Sequence, residues 1–84
     1  MTDAVPEIDI DERADAAYVR VAAGQVQDTQ EIADGILVDL DSAGSLLGVE
    51  VLRLKQRVRG GDASSFLRGL IAGLKLLPTR TAAE

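Results

Sequence analysis

The chain is 84 residues long, carries a formal net charge of −5, and contains neither cysteine nor histidine. This length fits one small domain, and a hydrophobic content of 46% supplies enough apolar material for a packed core. Without cysteine there is no disulfide framework, zinc–thiolate site or iron–sulfur ligand, and without histidine the usual general base is missing.

Charge and hydropathy also limit the location and the partners of the chain. Residues 1–50 carry twelve acidic and two basic residues, whereas residues 51–84 carry two acidic and seven basic ones. The overall acidity argues against general affinity for nucleic acid, which depends on lysine and arginine. No apolar run is long enough for a transmembrane segment, and no signal-peptide pattern opens the chain, so we expect a cytoplasmic protein.

The first predicted elements are two short strands that form a hairpin. Residues 8–11 alternate isoleucine with aspartate, and residues 16–21 alternate again, with Val19 on one face and Tyr18 on the other. This period of two is typical of a half-buried strand. The polar residues 12–15 between the two runs predict a tight turn.

Two stronger strands follow a polar segment, residues 26–33, that indicates an irregular or edge strand. Residues 36–40 and residues 46–54 are rich in branched apolar side chains, and a short turn that contains Gly44 separates them. Two such runs around a short glycine-containing loop predict a second hairpin.

The end of the chain predicts one amphipathic helix. Residues 53–59 alternate basic and bulky side chains, and they either extend the last strand or link it to the helix. Gly60 and Gly61 break that pattern, and Pro78 prevents continuation of a helix over residues 62–77. At about 100° per residue, the apolar side chains of the helix form a single arc: Phe66, Leu67, Leu70, Ile71, Leu74 and Leu77.

These elements predict an α+β fold, a small antiparallel β-meander of about four strands followed by one C-terminal helix. We expect a single domain over residues 1–84, with the sheet in residues 7–59, the helix in residues 62–77 and a loose tail in residues 78–84. One helix covers only one face of a sheet, but apolar residues are also predicted on the other face: Tyr18, Leu37, Leu46 and Leu52. A second apolar face is commonly covered by self-association, so we expect a homodimer.

More than half of the sequence resembles a known family. Residues 8–21 combine a strand, an acidic turn, the tripeptide Ala14-Asp15-Ala16 and an aromatic-containing strand. Further elements of the same pattern are Thr29-Gln30-Glu31-Ile32, Asp34-Gly35, Ile36-Leu37-Val38-Asp39-Leu40-Asp41, Gly44 and Leu47-Gly48-Val49-Glu50-Val51-Leu52. Over roughly residues 7–52 the chain therefore resembles domain-of-unknown-function family 2283, a family of short bacterial proteins.

The resemblance implies a fold but no activity. It implies a small β-meander with a helix, and it supplies no catalytic residues, because the family has no established function. Some members are encoded beside small toxin-like proteins, so the resemblance also implies that an antitoxin-like role is conceivable.

Several carboxylates are candidate ligands for a hard cation, which prefers oxygen. From Asp39 to Glu50 the sequence matches a calcium loop at positions one, three, six and twelve, but Ala43 removes the ligand at position five. The flanking residues alternate as strands, which favours a β-turn in which Asp41 and Ser42 accept from nearby backbone N–H groups. We expect no metal site, and the candidates for one are Asp39, Asp41 and Glu50, which with Asp9 and Asp11 could form a carboxylate cluster.

Two glycines, Gly69 and Gly73, lie on one surface of the predicted helix because they are four residues apart. Each glycine costs about 1 kcal/mol relative to alanine inside a helix. Close approach of a partner helix would offset that cost, and so would close packing of the helix on its own sheet.

The sequence therefore predicts a non-enzymatic interaction module that has no catalytic residues and no cofactor, forms a homodimer and is able to bind a protein partner. Its interaction residues are predicted on the helix and on the second sheet face: Phe66, Gly69, Leu70, Ile71, Gly73, Leu74, Tyr18, Leu37 and Leu52. One alternative is metal binding or catalysis by the sheet carboxylates. Another is a peripheral membrane or nucleic-acid adaptor that uses the basic segment of residues 53–75.

Overall fold

The computed structural model describes residues 7–76, which form a five-stranded antiparallel sheet and two helices. Residue Leu77 and the tail predicted over residues 78–84 lie outside the described residues. The strands are β1 (Glu7–Asp11), β2 (Ala16–Arg20), β3 (Asp28–Ala33), β4 (Ile36–Leu40) and β5 (Leu46–Leu52), and the helices are α1 (Leu54–Val58) and α2 (Ala63–Leu76). The strand order is β1-β2-β5-β4-β3, so β5 is central and β1 and β3 are the edges.

The predicted α+β class, with an antiparallel sheet and a C-terminal helix, is confirmed, but two elements differ from the prediction. There are five strands, and not about four, because residues 28–33 pair with β4 as an edge strand. The sheet also ends at Leu52, and residues 54–58 form α1 where the sequence predicted that the sheet portion continues to residue 59. Arg53 has a φ of 54°, and this left-handed conformation turns the chain out of the sheet.

The core lies between the sheet and the two helices and is entirely aliphatic. Val19 of β2 pairs directly with Val49 of β5, and neither side chain has exposed surface. Since side chains alternate between the faces of a strand, the valines of the three central strands line the same face. The complete buried cluster is Ala17, Val19, Val38, Val49, Val51, Leu54, Leu67 and Ile71.

Aspartate side chains fix the start of both helices. Asp62 Oδ2 accepts hydrogen bonds from the backbone N–H and the hydroxyl of Ser65, at 3.0 and 2.9 Å, as an N-cap residue does. Asp15 comes from the distant β1–β2 turn, and its backbone oxygen and Oδ1 accept from the N–H groups of Leu54 and Lys55. The first hairpin therefore holds α1 in place. Neither helix within residues 7–76 has the length and apolar character needed to cross a membrane.

An irregularity between β4 and β5 changes which leucine faces the core. The pairing register shifts between Asp39 and Leu40. Because of this shift Leu46 packs against the core cluster, whereas simple alternation predicted it on the opposite face. Leu47 is buried apart from that cluster, where a Cβ on Gly24 would come within 2.8 Å of its Cδ2.

Candidate functional site

The candidate functional site is the sheet face opposite the helices, which we call the uncovered face. Both helices pack on the other side, so within residues 7–76 no helix lies over it. The pairing registers place side chains from five strands side by side on this face. One row is Asp9, Tyr18, Glu50, Leu37 and Glu31, and the next is Glu7, Arg20, Gly48, Asp39 and Thr29.

A chain of hydrogen bonds crosses the uncovered face from β2 to β3. The hydroxyl of Tyr18 donates to Asp39 Oδ2 at 2.7 Å, and the hydroxyl of Thr29 donates to Asp39 Oδ1 at 2.6 Å. Because β5 lies between β2 and β4, the ring of Tyr18 must pass over β5, and Gly48 leaves the space for it. A Cβ on Gly48 would overlap the tyrosine hydroxyl. The ring is therefore held against the sheet at a fixed position.

The same surroundings make the Tyr18 phenol a weaker acid. Burial raises the pKa of Tyr18 from 10.0 to about 12, and the hydrogen bond to Asp39 and the charge of Asp39 act in the same direction. The charge of Glu50 adds to this effect, while Arg20 opposes it. At neutral pH the phenol is protonated and donates to the Asp39 carboxylate.

The charge of the uncovered face is mostly negative. Glu50 is exposed on the central strand and is paired in register with Tyr18 on one side and Leu37 on the other. Among the residues that the structure describes, the Glu50 carboxylate forms no ion pair. Arg20 is the cation of this face, and its Nε lies 3.7 Å from the Glu7 carboxylate. Its carboxylates are Glu7, Asp9, Asp11, Glu31, Asp39 and Glu50.

The interaction residues predicted from the sequence fall on two opposite sides of the molecule. Tyr18, Leu37 and Leu52 come together on the uncovered face, where all three are half-buried. Ile71 is 3% exposed and belongs to the core, so it holds α2 on its own sheet and offers no surface to a partner. Three other predicted interaction residues of the helix are half-buried at the border of the core: Phe66, Leu70 and Leu74.

The two helix glycines lie on the outer surface of α2. A Cβ added to Gly69 or to Gly73 would meet nothing within 4 Å. Close packing of the helix on its own sheet, one of the two explanations for these glycines, is therefore wrong. Contact with a partner helix stays a prediction.

Two of the three candidate metal ligands, Asp39 and Asp41, serve other contacts. Both oxygens of Asp39 accept hydroxyl hydrogen bonds, as described above. Asp41 Oδ1 accepts from the N–H groups of Ala43 and Ser45, both at 2.9 Å, which confirms the β-turn. Across residues 7–76 no three acidic side chains come close enough to hold a metal ion. Asp9 and Glu50 lie on the two strands that flank β2.

Half of the cations in residues 53–59 hold the β3–β4 turn. Arg53 Nη2 lies 3.0 Å from the Asp34 carboxylate. Arg57 donates from Nε to the Leu52 carbonyl at 2.7 Å and from Nη2 to the Asp34 carbonyl. The two arginines therefore brace this end of the sheet, and the other two cations of the segment remain exposed.

The hydrogen-bonded tyrosine and the role of Gly48 were not predicted from the sequence. A signal for the glycine exists, because a lone glycine inside an apolar strand often marks a close approach by another group. No comparable local signal pairs Tyr18 with Asp39, which are 21 residues apart in the chain.

The fold and the site together define a class of protein: a small α+β domain whose antiparallel sheet is covered by helices on one face and carries an anchored tyrosine on the other. The model of the family described as Protein of unknown function (DUF2283) matches residues 7–55. The chain belongs to this family, which confirms the resemblance. The match includes all five strands and the whole uncovered face, whereas α2 lies beyond it. Comparisons with curated proteins and with solved structures give no significant match.

Proposed function

We propose that this protein is a non-enzymatic interaction module that self-associates through α2. The observation that carries the proposal is the outward orientation of Gly69 and Gly73, whose surroundings are empty within 4 Å. Each glycine costs about 1 kcal/mol relative to alanine in a helix. Nothing in the packing of the described residues offsets this cost. Close approach of a second helix would offset it.

The glycines adjoin half-buried apolar side chains on the same side of the helix. At about 100° per residue, Gly73 falls between Phe66 and Gly69, and Leu70 lies next to Phe66. We call these four residues the α2 flank. Phe66 and Leu70 border the core with part of their surface exposed, so a helix seated on the two glycines would cover them as well.

Charge favours a second copy of the chain as the partner that binds the α2 flank. A twofold interface brings the same patch of both subunits together, so the patch must not repel itself. The α2 flank has no charged residue. The uncovered face has six carboxylates and one guanidinium, and two such faces would repel each other. Helix α2 has 14 residues and is about 21 Å long, which gives two copies an extended line of contact.

The non-enzymatic part of the proposal is supported by what the carboxylates do. Asp39 anchors Tyr18, and Asp41 closes the β4–β5 turn. The antitoxin-like role and the cytoplasmic location stay predictions, as do the metal-binding and the membrane or nucleic-acid alternatives.

The proposal is tested by replacing both glycines with glutamine, which is a better helix former than glycine. We expect the full-length wild type to have twice the 8.9 kDa mass of the chain in a light-scattering concentration series, and the Gly69→Gln, Gly73→Gln variant to have the mass of one chain. The matched control is Arg68→Gln on the other side of the helix, which should remain dimeric. A monomeric wild type, or a variant that is still dimeric, would contradict the proposal.

A further inference from the structure

The tyrosine of the uncovered face presents a fixed aromatic surface. Its hydroxyl is bonded to Asp39 and its ring lies over Gly48, so the inner side of the ring is occupied by the sheet. No helix of residues 7–76 lies over the outer side. An aromatic ring that is already immobilised loses little conformational entropy when a ligand stacks on it.

One exposed carboxylate stands beside this ring. Glu50 of β5 is a direct register neighbour of Tyr18, and its charge acts on the phenol. Side chains that face each other in this way have Cβ atoms about 5 Å apart. The ring leans from β2 over Gly48 of β5, so a cation placed over it would have the Glu50 carboxylate beside it and the negative face of the ring below it. Arg20 pairs with Gly48 on the same face, and its Nε lies 3.7 Å from the Glu7 carboxylate.

We propose that the uncovered face docks a basic protein segment, and that an arginine of this partner lies over the Tyr18 ring beside Glu50. A guanidinium is planar, stacks on aromatic rings and bonds to carboxylates in pairs, which an ammonium does not. The half-buried Leu37 and Leu52 supply apolar surface for the rest of the segment.

Charge complementarity favours a basic segment as the partner of the uncovered face. Six carboxylates and one guanidinium attract a basic segment and repel both nucleic acid and an anionic membrane. The inference rests on the binding role proposed above and names the chemistry of the partner. It uses the side of the molecule opposite the α2 flank, so partner binding and self-association are measured independently.

The single tyrosine makes a direct assay possible, because the chain has no tryptophan and Tyr18 dominates its fluorescence. The full chain is titrated with a peptide of alternating arginine and leucine, and with the same peptide carrying lysine or glutamate in place of arginine. We expect a saturable change in Tyr18 emission with the arginine peptide, at least threefold weaker binding of the lysine peptide, and no binding of the glutamate peptide.

Two variants with the same change in net charge locate the site. Glu50→Gln should weaken binding of the arginine peptide about tenfold, as expected for a charge pair at the centre of an interface. Glu12→Gln, an exposed carboxylate in the β1–β2 turn, should change it less than twofold. Circular dichroism checks that both variants are folded, and the titration is repeated on the Gly69→Gln, Gly73→Gln variant, where binding should be unchanged.

Several outcomes would overturn the inference. Equal losses of affinity for the arginine peptide in Glu50→Gln and Glu12→Gln would show that the peptide is attracted by net charge alone. Equal affinities for the arginine and lysine peptides would exclude stacking of a guanidinium. Absence of saturable binding at low salt would exclude the docking site, and Tyr18 emission that changes with protein concentration alone would show that a second copy covers the face.

Discussion

The two faces of the sheet are ordered by different forces. On the covered face Val19, Val49 and Leu67 have no exposed surface, and no polar side chain is buried with them among the described residues. On the uncovered face the order comes from hydrogen bonds that join Tyr18 and Thr29 to Asp39. Burial of apolar area is the main source of stability, whereas a hydrogen bond contributes about 1 kcal/mol net. Substitutions on the covered face should therefore mainly alter the free energy of unfolding. Substitutions on the uncovered face should mainly alter partner binding and the ionisation of Tyr18.

The largest expected effect is the loss of a core leucine from the covered face. Leu67→Ala should lower the free energy of unfolding by about 2–5 kcal/mol, because it removes buried methyl groups and leaves a cavity. Urea unfolding measures the change. The matched control is Leu37→Ala on the uncovered face, where a half-buried side chain should cost about 1 kcal/mol.

Equal losses of unfolding free energy for Leu67→Ala and Leu37→Ala would contradict the difference between the faces. Both faces would then contribute equally to stability. A loss at Leu37 that exceeds the loss at Leu67 would indicate that the uncovered face is buried in solution.

A smaller effect is expected on the uncovered face from Gly48→Ala. The added methyl group would overlap the Tyr18 hydroxyl, so the ring must move away from Asp39. Such overpacking costs about 1–3 kcal/mol. A double-mutant cycle with Tyr18→Ala isolates this contact: once the ring is absent, Gly48→Ala should cost almost nothing. An equal cost in both backgrounds would place the origin of the effect in the strand backbone.

The features that sequence predicted are those that depend on near neighbours. The alternation of β2 and β4 identified their faces, and the spacing of Leu67 and Ile71 identified the side of the helix that packs on the sheet. These patterns arise because a strand repeats every two residues and a helix every 3.6. A few consecutive residues are enough to reveal them.

The features that sequence missed depend on contacts between distant segments. The polar residues 26–33 indicate an irregular or edge strand without deciding between the two, and residues 28–33 form an edge strand because β4 offers a free edge to pair with. Helix α1 starts at Leu54 because Asp15, far away in the chain, accepts its first N–H groups. Local alternation predicted Leu46 on the wrong face because a register shift is a property of the strand pair.

The candidate site also combines features that depend on near neighbours with features that depend on distant segments. Alternation placed Tyr18, Leu37 and Leu52 on one face, which the structure confirms. The bond between Tyr18 and Asp39 required the strand order β2-β5-β4, which brings these residues to opposite sides of Gly48. Strand order is not encoded in any short segment.

The smallest effect is expected in the ionisation of Tyr18, and the single tyrosine makes it measurable by phenolate absorbance. We expect the wild type to titrate at a pKa of about 12, raised from 10.0 by burial and by Asp39. Asp39→Asn removes the charge and the carboxylate acceptor, so the pKa should fall towards 10.0. Glu50→Gln should produce a smaller fall, and the remote Asp28→Asn should produce none.

This titration also tests how the uncovered face contributes to folding. The folded chain favours the protonated phenol, so the contribution of Tyr18 to stability is complete below pH 10 and is lost as the pH rises through about 12. The charged groups that act on the phenol are Asp39, Glu50 and Arg20. A wild-type pKa near 10.0 would show that the ring is not held over Gly48 in solution, and the arginine site inferred above would lose its aromatic surface.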